Sequence, residues 1–381
     1  MSDPFDADEL WFAHLLASVP VPASLERAAA RPVRPASGRR RRYRTLVLAG
    51  GLALVVGVLG GLVLGLTRAG DKSGGTPATS GGTPSPRVEP AVAGDDIHQD
   101  VVLFGGRGPG GVVLADTWIW DGHSWSERRP VHSPSPRRAA AMSSDPGGGG
   151  VLLLGGVGPG GDALADTWEW DGTDWRQLSA AAPPGPRAGA LLVQDPVYGH
   201  VVLFGGHGPT PHGSTWGWNG ATWTEESTPD APPDCAGSSM AYDDAFRRVL
   251  LITGRACAAL GGGATTWSWD GHTWSRVSPP GPAIAGDRFT IAYHDASQLM
   301  VLAASGPGQA CSIATWTWDT TSWAVHHEAG SPRAPAVEVR DPASRAPMLV
   351  SASGESWAWS GNAWTVVAGS SSSSPESCPT P

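Results

Sequence analysis

Fully apolar stretches of four residues, most followed by a double glycine, recur along the chain at intervals of 48 to 50 residues. Each stretch follows a segment of small residues and precedes a segment in which every second residue is a tryptophan. Short apolar runs that end in glycine are typical of buried strands, and a period of two is typical of strands in general. The stretches with their glycines are VVLFGG at 101–106, VLLLGG at 151–156, VVLFGG at 201–206 and VLLITG at 249–254.

Tryptophan marks the same period more strictly. Eighteen of the 19 tryptophans fall into six copies of one pattern, W-x-W and then, after four more residues, a third tryptophan. The first tryptophans of successive copies are 50, 48, 51, 49 and 41 residues apart, and such a period is typical of propellers and solenoids. The repeat tryptophans are Trp118, Trp120, Trp125, Trp168, Trp170, Trp175, Trp216, Trp218, Trp223, Trp267, Trp269, Trp274, Trp316, Trp318, Trp323, Trp357, Trp359 and Trp364.

Each repeat predicts four short strands. The first carries small residues after a Pro-Arg pair, the second is the apolar stretch, the third carries W-x-W, and the fourth carries the last tryptophan. The third and fourth strands are joined by turn pairs, Asp121-Gly122, Asp171-Gly172, Asn219-Gly220 and Asp270-Gly271 in the first four repeats. Because a single blade covers neither of its faces, we predict an all-β, six-bladed propeller of four-stranded blades over residues 87–369.

The tryptophans are predicted to pack between blades. Both tryptophans of W-x-W lie on one face of their strand, and a threonine or serine one position earlier lies on the other. A buried aromatic side chain removes about 150–250 Å² from water, which lets tryptophan supply the core. Stacking of a few rim tryptophans on sugar rings is the alternative. The small residues are Thr117, Thr167, Thr215, Thr266, Thr315 and Ser356.

An uncharged run of 22 residues, 45–66, precedes the repeats. It is long enough to cross a hydrocarbon layer of about 30 Å as a helix, and its glycines are common in membrane spans. A cleaved signal peptide is the alternative, but the leader is long and no small-residue cleavage pattern follows. We therefore predict a single transmembrane helix that acts as a signal anchor.

Arginines flank this run on its N-terminal side: Arg39, Arg40, Arg41, Arg42 and Arg44. The positive-inside rule then predicts a single-pass plasma-membrane protein with a cytoplasmic leader, 1–44, and an extracellular propeller. Residues 67–86 are rich in Gly, Ser, Thr and Pro and are predicted to form a flexible linker. The Ser- and Pro-rich residues 370–381 are predicted to be a disordered tail.

The charge distribution excludes one class of partner. The formal net charge is −9, and from residue 69 onward 30 acidic groups face 17 basic ones. Nucleic-acid binding requires a basic surface, so we expect no nucleic-acid partner.

The double glycine after the apolar strand, the segment D-x-W-x-[aromatic]-D at 116–121 and 166–171, and the tryptophan after the turn resemble the kelch repeat. The resemblance is specifically to bacterial kelch proteins related to the central propeller of galactose oxidase. Blades 4 to 6 depart from the pattern, with Thr253-Gly254, Ala304-Ser305-Gly306 and Ser351-Ala352-Ser353-Gly354 in place of the double glycine. The resemblance implies ligand binding on the rim formed by the loops after the second strands and the connections between blades.

Copper oxidases that share this propeller need two tyrosines, one joined to a cysteine, and two histidines. The chain has four tyrosines, Tyr43, Tyr198, Tyr242 and Tyr293, and none is in a loop expected on the rim. We therefore expect no copper and no other cofactor. No metal site is expected either, because the loop that holds His207 and His212 offers no clear third ligand.

Five polar residues of the rim loops are our candidates for ligand binding: Arg107, His207, His212, Arg255 and Gln309. Three cysteines are expected on the same rim, Cys235, Cys257 and Cys311. An extracellular location favours a disulfide from Cys257 to either of the others, and free buried thiols are the alternative.

No Ser-His-Asp order and no paired carboxylates stand out from the repeats, so the sequence indicates no catalytic residue. We expect a membrane-anchored, non-catalytic module that binds a protein or a glycan on the rim. A transmembrane sensor is one alternative, because residues 7–19 form an amphipathic segment in the cytoplasmic leader. A carbohydrate-active enzyme is the other.

Overall fold

The computed structural model describes residues 82–369, with gaps at 146, 181–182, 209–212, 227, 229, 235–236, 255–264, 278–288, 307–308, 320–321, 327–331 and 333–335. None of the helical turns within these residues is long and apolar enough to cross a membrane. The predicted leader at 1–44, transmembrane helix at 45–66 and tail at 370–381 lie outside the described residues, as does most of the linker at 67–86.

Twenty-four strands form six antiparallel sheets of four strands each, and every sheet is made from one contiguous stretch of sequence. The six-bladed propeller with four-stranded blades is thereby confirmed, including the irregular last two repeats. Blade 1 comprises β1 (Ala91–Asp95), β2 (Asp100–Arg107), β3 (Val113–Trp120) and β4 (Trp125–Arg128); blade 2 comprises β5 (Ala141–Asp145), β6 (Gly150–Leu154), β7 (Thr167–Trp170) and β8 (Trp175–Leu178); blade 3 comprises β9 (Leu191–Asp195), β10 (His200–Phe204), β11 (Thr215–Trp218) and β12 (Trp223–Glu226).

The remaining blades repeat this order. Blade 4 comprises β13 (Ser239–Asp243), β14 (Arg248–Ile252), β15 (Thr266–Trp269) and β16 (Trp274–Val277); blade 5 comprises β17 (Phe289–His294), β18 (Leu299–Gly306), β19 (Gln309–Trp318) and β20 (Trp323–His326); blade 6 comprises β21 (Ala336–Asp341), β22 (Ala346–Ser351), β23 (Ser356–Trp359) and β24 (Trp364–Ala368). The first strands of successive blades contact one another around a closed ring, and β21 contacts β1.

The hydrophobic core lies between blades. In β2, Val102 and Phe104 pack on blade 2, whereas Val101 and Leu103 pack on blade 6, which is why the second strands are apolar on both faces. The second and third tryptophans of a blade are cross-strand partners, with ring centroids 5.1 to 5.7 Å apart in all six blades. None of the eighteen repeat tryptophans is exposed.

A hydrogen bond joins neighbouring blades at five of the six joints. The third tryptophan of one blade donates its indole N–H to the threonine or serine hydroxyl that opens the W-x-W strand of the preceding blade. The distance is 3.0 Å from Trp175 Nε1 to Thr117 Oγ1 and 2.8 Å from Trp125 Nε1 to Ser356 Oγ. At the joint of blades 4 and 5, Trp323 Nε1 and Thr266 Oγ1 are buried with no partner among the described residues.

In blades 1 to 3 the arginine of the Pro-Arg pair ties its blade to the preceding one. The main chain of Arg137 bonds to Leu114 and Gly106 of blade 1, while its buried guanidinium donates to Gly155 O and to both oxygens of Asp166 in blade 2. Burial alone would raise the pKa of Asp166, but the hydrogen bonds from Arg137 lower it below its ordinary value. From the sequence, the Pro-Arg pair served only to locate the start of a repeat, and no role was predicted for this arginine.

Ring closure does not use a strand from the opposite end of the chain, because blade 1 and blade 6 are each built from four strands that are contiguous in sequence. Arg87 makes the same side-chain bonds within blade 1, to Gly105 O and Asp116, and its main-chain N–H donates to Ala352 O of blade 6 at 2.9 Å. Together with the bond from Trp125 to Ser356, this segment joins the first blade to the last.

Candidate functional site

Two cavities lie on the propeller axis, one toward each end of the first strands. We call the end with the first-to-second strand hairpins the hairpin end, and the end with the blade-to-blade segments the connector end. The cavity at the hairpin end has a volume of about 320 Å³ and is lined by residues of all six first strands. The cavity at the connector end has about 280 Å³.

The hairpin-end cavity has two successive rows of side chains, one from each blade. The inner row consists of Val92, Met142, Leu192, Met240, Ile291 and Glu338. The outer row, two residues further along each strand, consists of Gly94, Ser144, Gln194, Tyr242, Tyr293 and Arg340. Blades 4 to 6 therefore bring large hydrogen-bonding groups to the outer row, whereas blades 1 and 2 bring only a glycine and a serine.

In five of the six blades an aspartate ends the first strand and holds the hairpin that follows, whereas in blade 5 the strand ends at His294. Asp95 is buried, and its Oδ1 accepts the N–H groups of Ile97 and His98, both at 3.1 Å. Such local bonds fix the turn and so the direction of the next residue. That next residue lies at the mouth of the cavity, where it is an aspartate in blades 1, 4 and 5: Asp96, Asp244 and Asp295.

Two arginines of blade 6 meet these aspartates. Arg340 bonds to Asp295 through two nitrogens, both at 2.9 Å, and lies 3.8 Å from Asp96 and 3.9 Å from Asp244. Arg345 Nε lies 2.7 Å from Asp295. The three aspartates thus outnumber the two arginines that contact them. Burial, with added repulsion from Asp295 and Asp96, raises the pKa of Asp244 despite both arginines.

Both tyrosines of the outer row are hydrogen-bond donors at neutral pH. Burial, and then the negative charges of Asp195 and Asp244, raise the pKa of Tyr242 to about 12. Burial and nearby aspartates also raise the pKa of Tyr293. Sequence reasoning expected neither tyrosine to face a pocket, because it placed them at strand ends rather than in rim loops.

Glu338 is the only ionisable residue of the inner row. It is 8% exposed and faces blade 5, where the Thr290 hydroxyl donates to its Oε2 at 3.3 Å. Its Oε1 has no hydrogen-bond partner in the part of the chain that the structure describes. Burial raises the pKa of Glu338 well above its ordinary value, and hydrogen bonding from the Thr290 hydroxyl and the Ala303 backbone offsets only part of this. Burial therefore favours the protonated form of this side chain more than it would be favoured in an exposed glutamate.

The connector-end cavity lies on the rim where the sequence predicts ligands. Its wall is mainly apolar, and its charged groups are engaged elsewhere: Arg87 bonds to Asp116, and Glu89 pairs with Arg138. Arg107 and His207 are exposed at equivalent positions at this end, where their main chains pair with Val88 and Ala188. Neither side chain lines either cavity.

The other predicted rim residues are only partly described. His212, Arg255, Cys235 and Cys257 lie outside the described residues. Gln309 and Cys311 are placed in the backbone of β19. Among the described residues, no group of three or more His, Cys, Asp or Glu is arranged to hold a metal ion.

Sequence reasoning missed Glu338 and Arg340. A signal was present, because the strand AVEVRD places a glutamate and an arginine where the other blades carry mainly apolar or small residues. Because blade 6 is irregular in sequence, its first strand could not be aligned with those of the other blades from the sequence. The register of β21 with β22 provides this alignment.

No protein-family model matches this sequence, and no curated protein is similar to it. The solved structure of YjhT is similar in fold, with a TM-score of 0.53 and 16% sequence identity, over 74% of this chain and 98% of that one. At this identity the likeness extends to the propeller fold alone.

Proposed function

We propose that this kelch-like propeller is a non-catalytic binding module, and that a glycan or a protein segment enters its cavity at the hairpin end. One observation carries the proposal. The repeat is nearly uniform where blades pack, but blades 4 to 6 break it around the cavity with Tyr242, Tyr293, Glu338 and Arg340. Concave sites with a few convergent polar groups on an apolar wall are typical of ligand pockets.

The charges of the mouth favour binding over acid–base chemistry. Each of its three carboxylates lies within 3.9 Å of a guanidinium, which orients the groups and keeps them paired. Such a paired set offers a ligand fixed donors and acceptors.

A bulky substitution inside the cavity tests its role. Gln194 lines the wall, and Gln194→Trp fills the space without changing a charge. We expect the full-length protein with this change to bind its ligand, identified on glycan and peptide arrays, at least about tenfold more weakly. Thr224→Trp, on the exposed face of the fourth strand of the same blade, is the matched control.

A second variant separates the two ends of the propeller. Arg107→Ala combined with His207→Ala changes the connector end and should leave binding intact. If this double variant abolishes binding and Gln194→Trp does not, the ligand site lies on the connector rim instead.

We also propose that the propeller is extracellular and anchored in the plasma membrane by residues 45–66. The uncharged run and the arginines before it support this orientation. The protein should then stay in the membrane fraction at alkaline pH, and protease added to intact cells should cleave the propeller. Release of the full-length protein by alkaline washing would contradict the anchor.

A further inference from the structure

We propose that Arg340 is a strap across the mouth of the hairpin-end cavity, and that a ligand fills the cavity only after this side chain moves aside. This inference rests on the function proposed above and adds the regulation of its site. Two features carry it: the guanidinium lies between the hairpins of opposite blades, and both ends of the side chain are held by named contacts.

The ring geometry places the Arg340 guanidinium across the propeller axis. Arg340 belongs to blade 6, yet its Nη1 lies 3.8 Å from Asp96 of blade 1 and its Nη2 lies 3.9 Å from Asp244 of blade 4. Blades 1 and 4 lie opposite each other in the ring of six. One guanidinium can approach both carboxylates only where the two hairpins lean toward each other over the cavity, which all three residues line.

The base of the strap is fixed by close packing against blade 1. A Cβ on Gly94 would come within 2.7 Å of Arg340 O and 2.9 Å of Pro342 Cγ, so only glycine allows β21 to lie this close to β1. Gly94 therefore brings no side chain to the outer row. Arg340 is left as the outer-row side chain on this side of the mouth.

The tip of the strap is held firmly at one point and loosely at two. Nε and Nη2 of Arg340 donate to the two oxygens of Asp295, both at 2.9 Å, in the bidentate geometry that arginine and carboxylates favour. The contacts with Asp96 and Asp244 are too long for hydrogen bonds. The guanidinium can therefore leave these two aspartates while it stays bound to Asp295.

The loose contacts are open to water, which makes the strap responsive to salt. The side chain of Arg340 is 27% exposed, and those of Asp96 and Asp244 are 40% and 44% exposed. Dissolved ions screen charge pairs at such positions. Access to the cavity should therefore increase with ionic strength.

Thiol labelling tests the strap without knowledge of the ligand. Val92 lines the inner row two residues before Gly94, so Val92→Cys places a thiol of similar size behind Arg340. The probe is iodoacetamide, a small neutral reagent, added to the full-length protein. Mass spectrometry of the peptide that holds residue 92 separates its signal from those of the native cysteines. Thr224→Cys, on the exposed face of β12, gives the rate for an open thiol.

Removal of the strap should expose the thiol at position 92. We expect Arg340→Ala to raise its labelling rate at least about tenfold, because the open form is then no longer a minor population. The rate at Thr224→Cys should stay the same. Arg345→Ala is the matched control, because Arg345 also pairs with Asp295 but its side chain is 64% exposed, and it should leave the rate at position 92 nearly unchanged.

Two further measurements loosen the strap without removing it. Asp96→Asn combined with Asp244→Asn keeps the arginine and should give a smaller increase in labelling than Arg340→Ala. About 1 M NaCl should raise the rate when Arg340 is present and should have no effect in Arg340→Ala. If Arg340→Ala does not fold, these two measurements decide the question.

Equal labelling of the thiol at position 92 with and without Arg340→Ala would overturn the inference, whether both rates are fast or both are slow. An increase from Arg345→Ala as large as that from Arg340→Ala would also reject it. Either result leaves the binding function standing if Gln194→Trp still weakens ligand binding. Labelling that follows the expected pattern, together with no ligand on the arrays, would instead support the strap and count against the binding function alone.

Discussion

Glu338 has a consequence for stability that does not depend on any ligand. Its pKa is raised in the folded protein, so the folded state holds a proton that the unfolded chain releases above its own pKa near 4.5. The free energy of unfolding should therefore fall as pH rises from that value through the folded pKa. Below it, the contribution is fully present.

Glu338→Gln removes this titratable group and should make the free energy of unfolding depend less on pH. We expect urea unfolding of the wild type to show lower stability at pH 8 than at pH 5, and the Gln variant to show a smaller difference. Ile291→Leu should behave like the wild type. An equal pH dependence in the wild type and the Gln variant would show that Glu338 is not the group responsible.

The Pro-Arg arginines are the second class of residue with a specific role. Arg137→Gln removes bonds to Gly155 O and Asp166 and leaves a buried acceptor and carboxylate without their cation. We expect a loss of about 3 kcal/mol in the free energy of unfolding. Arg138→Gln is the matched control, because its pair with Glu89 is partly exposed and should contribute less than about 1 kcal/mol. Equal losses in both variants would contradict the structural role of Arg137.

At the scale of strands, the bond from tryptophan to threonine differs between joints in a way that can be measured. Thr117→Val preserves shape but leaves the Trp175 N–H buried without an acceptor, which should cost about 1–3 kcal/mol. Thr266→Val, at the joint where neither Thr266 Oγ1 nor Trp323 Nε1 has a partner among the described residues, should be neutral or stabilising.

Chemical denaturation of the two variants at one pH provides the comparison. The same substitution is made at equivalent positions, so strand propensity cancels. A loss in Thr266→Val as large as that in Thr117→Val would show that burial, and not the hydrogen bond, determines the effect.

The turn glycines also act at this scale. Gly172 has a φ of +91°, and a Cβ there would approach His98 Nε2 to 2.6 Å. A Cβ on Gly271 would likewise meet the ring of Tyr198 in the preceding blade. The Asp-Gly turns thus allow the hairpin of one blade to rest on the next blade, and so support the ring around the cavity mouth.

For the whole molecule, the closing joint predicts how the ring resists unfolding. A circular permutant that joins residue 369 to residue 82 and opens the hairpin at 147–149 would close the ring through the pairing of β5 with β6. We expect the permutant to unfold at least severalfold more slowly than the protein with the natural chain order. Its ring is closed by the pairing of two strands, whereas the natural ring is closed by a few hydrogen bonds.

A permutant opened at 181–182 keeps every blade contiguous and is the control. Its unfolding rate should lie close to that of the natural order, except for the effect of the new covalent link. If both permutants unfold at the same rate, strand pairing is not what limits opening of the ring.

The fold was largely predictable from the sequence, whereas the candidate site was not. Packing between blades imposes the same demands six times, so the apolar strands, the tryptophans and the Thr or Ser positions repeat visibly. Glu338 and Tyr242 meet in one cavity only because six first strands, far apart in sequence, converge on an axis. Arg107 and His207 lie at the predicted end, yet the tyrosines and the glutamate of the hairpin-end cavity lie toward the other.

Contiguous blades also set an order for synthesis. Each blade can complete its own sheet as it leaves the ribosome, and no strand edge has to wait for a distant partner. Arg87 is made early, but its acceptor Ala352 emerges only with the last blade. Until then the apolar face of blade 1 that packs on blade 6 stays exposed. The nascent chain is therefore most open to chaperones and to aggregation in the interval before translation ends.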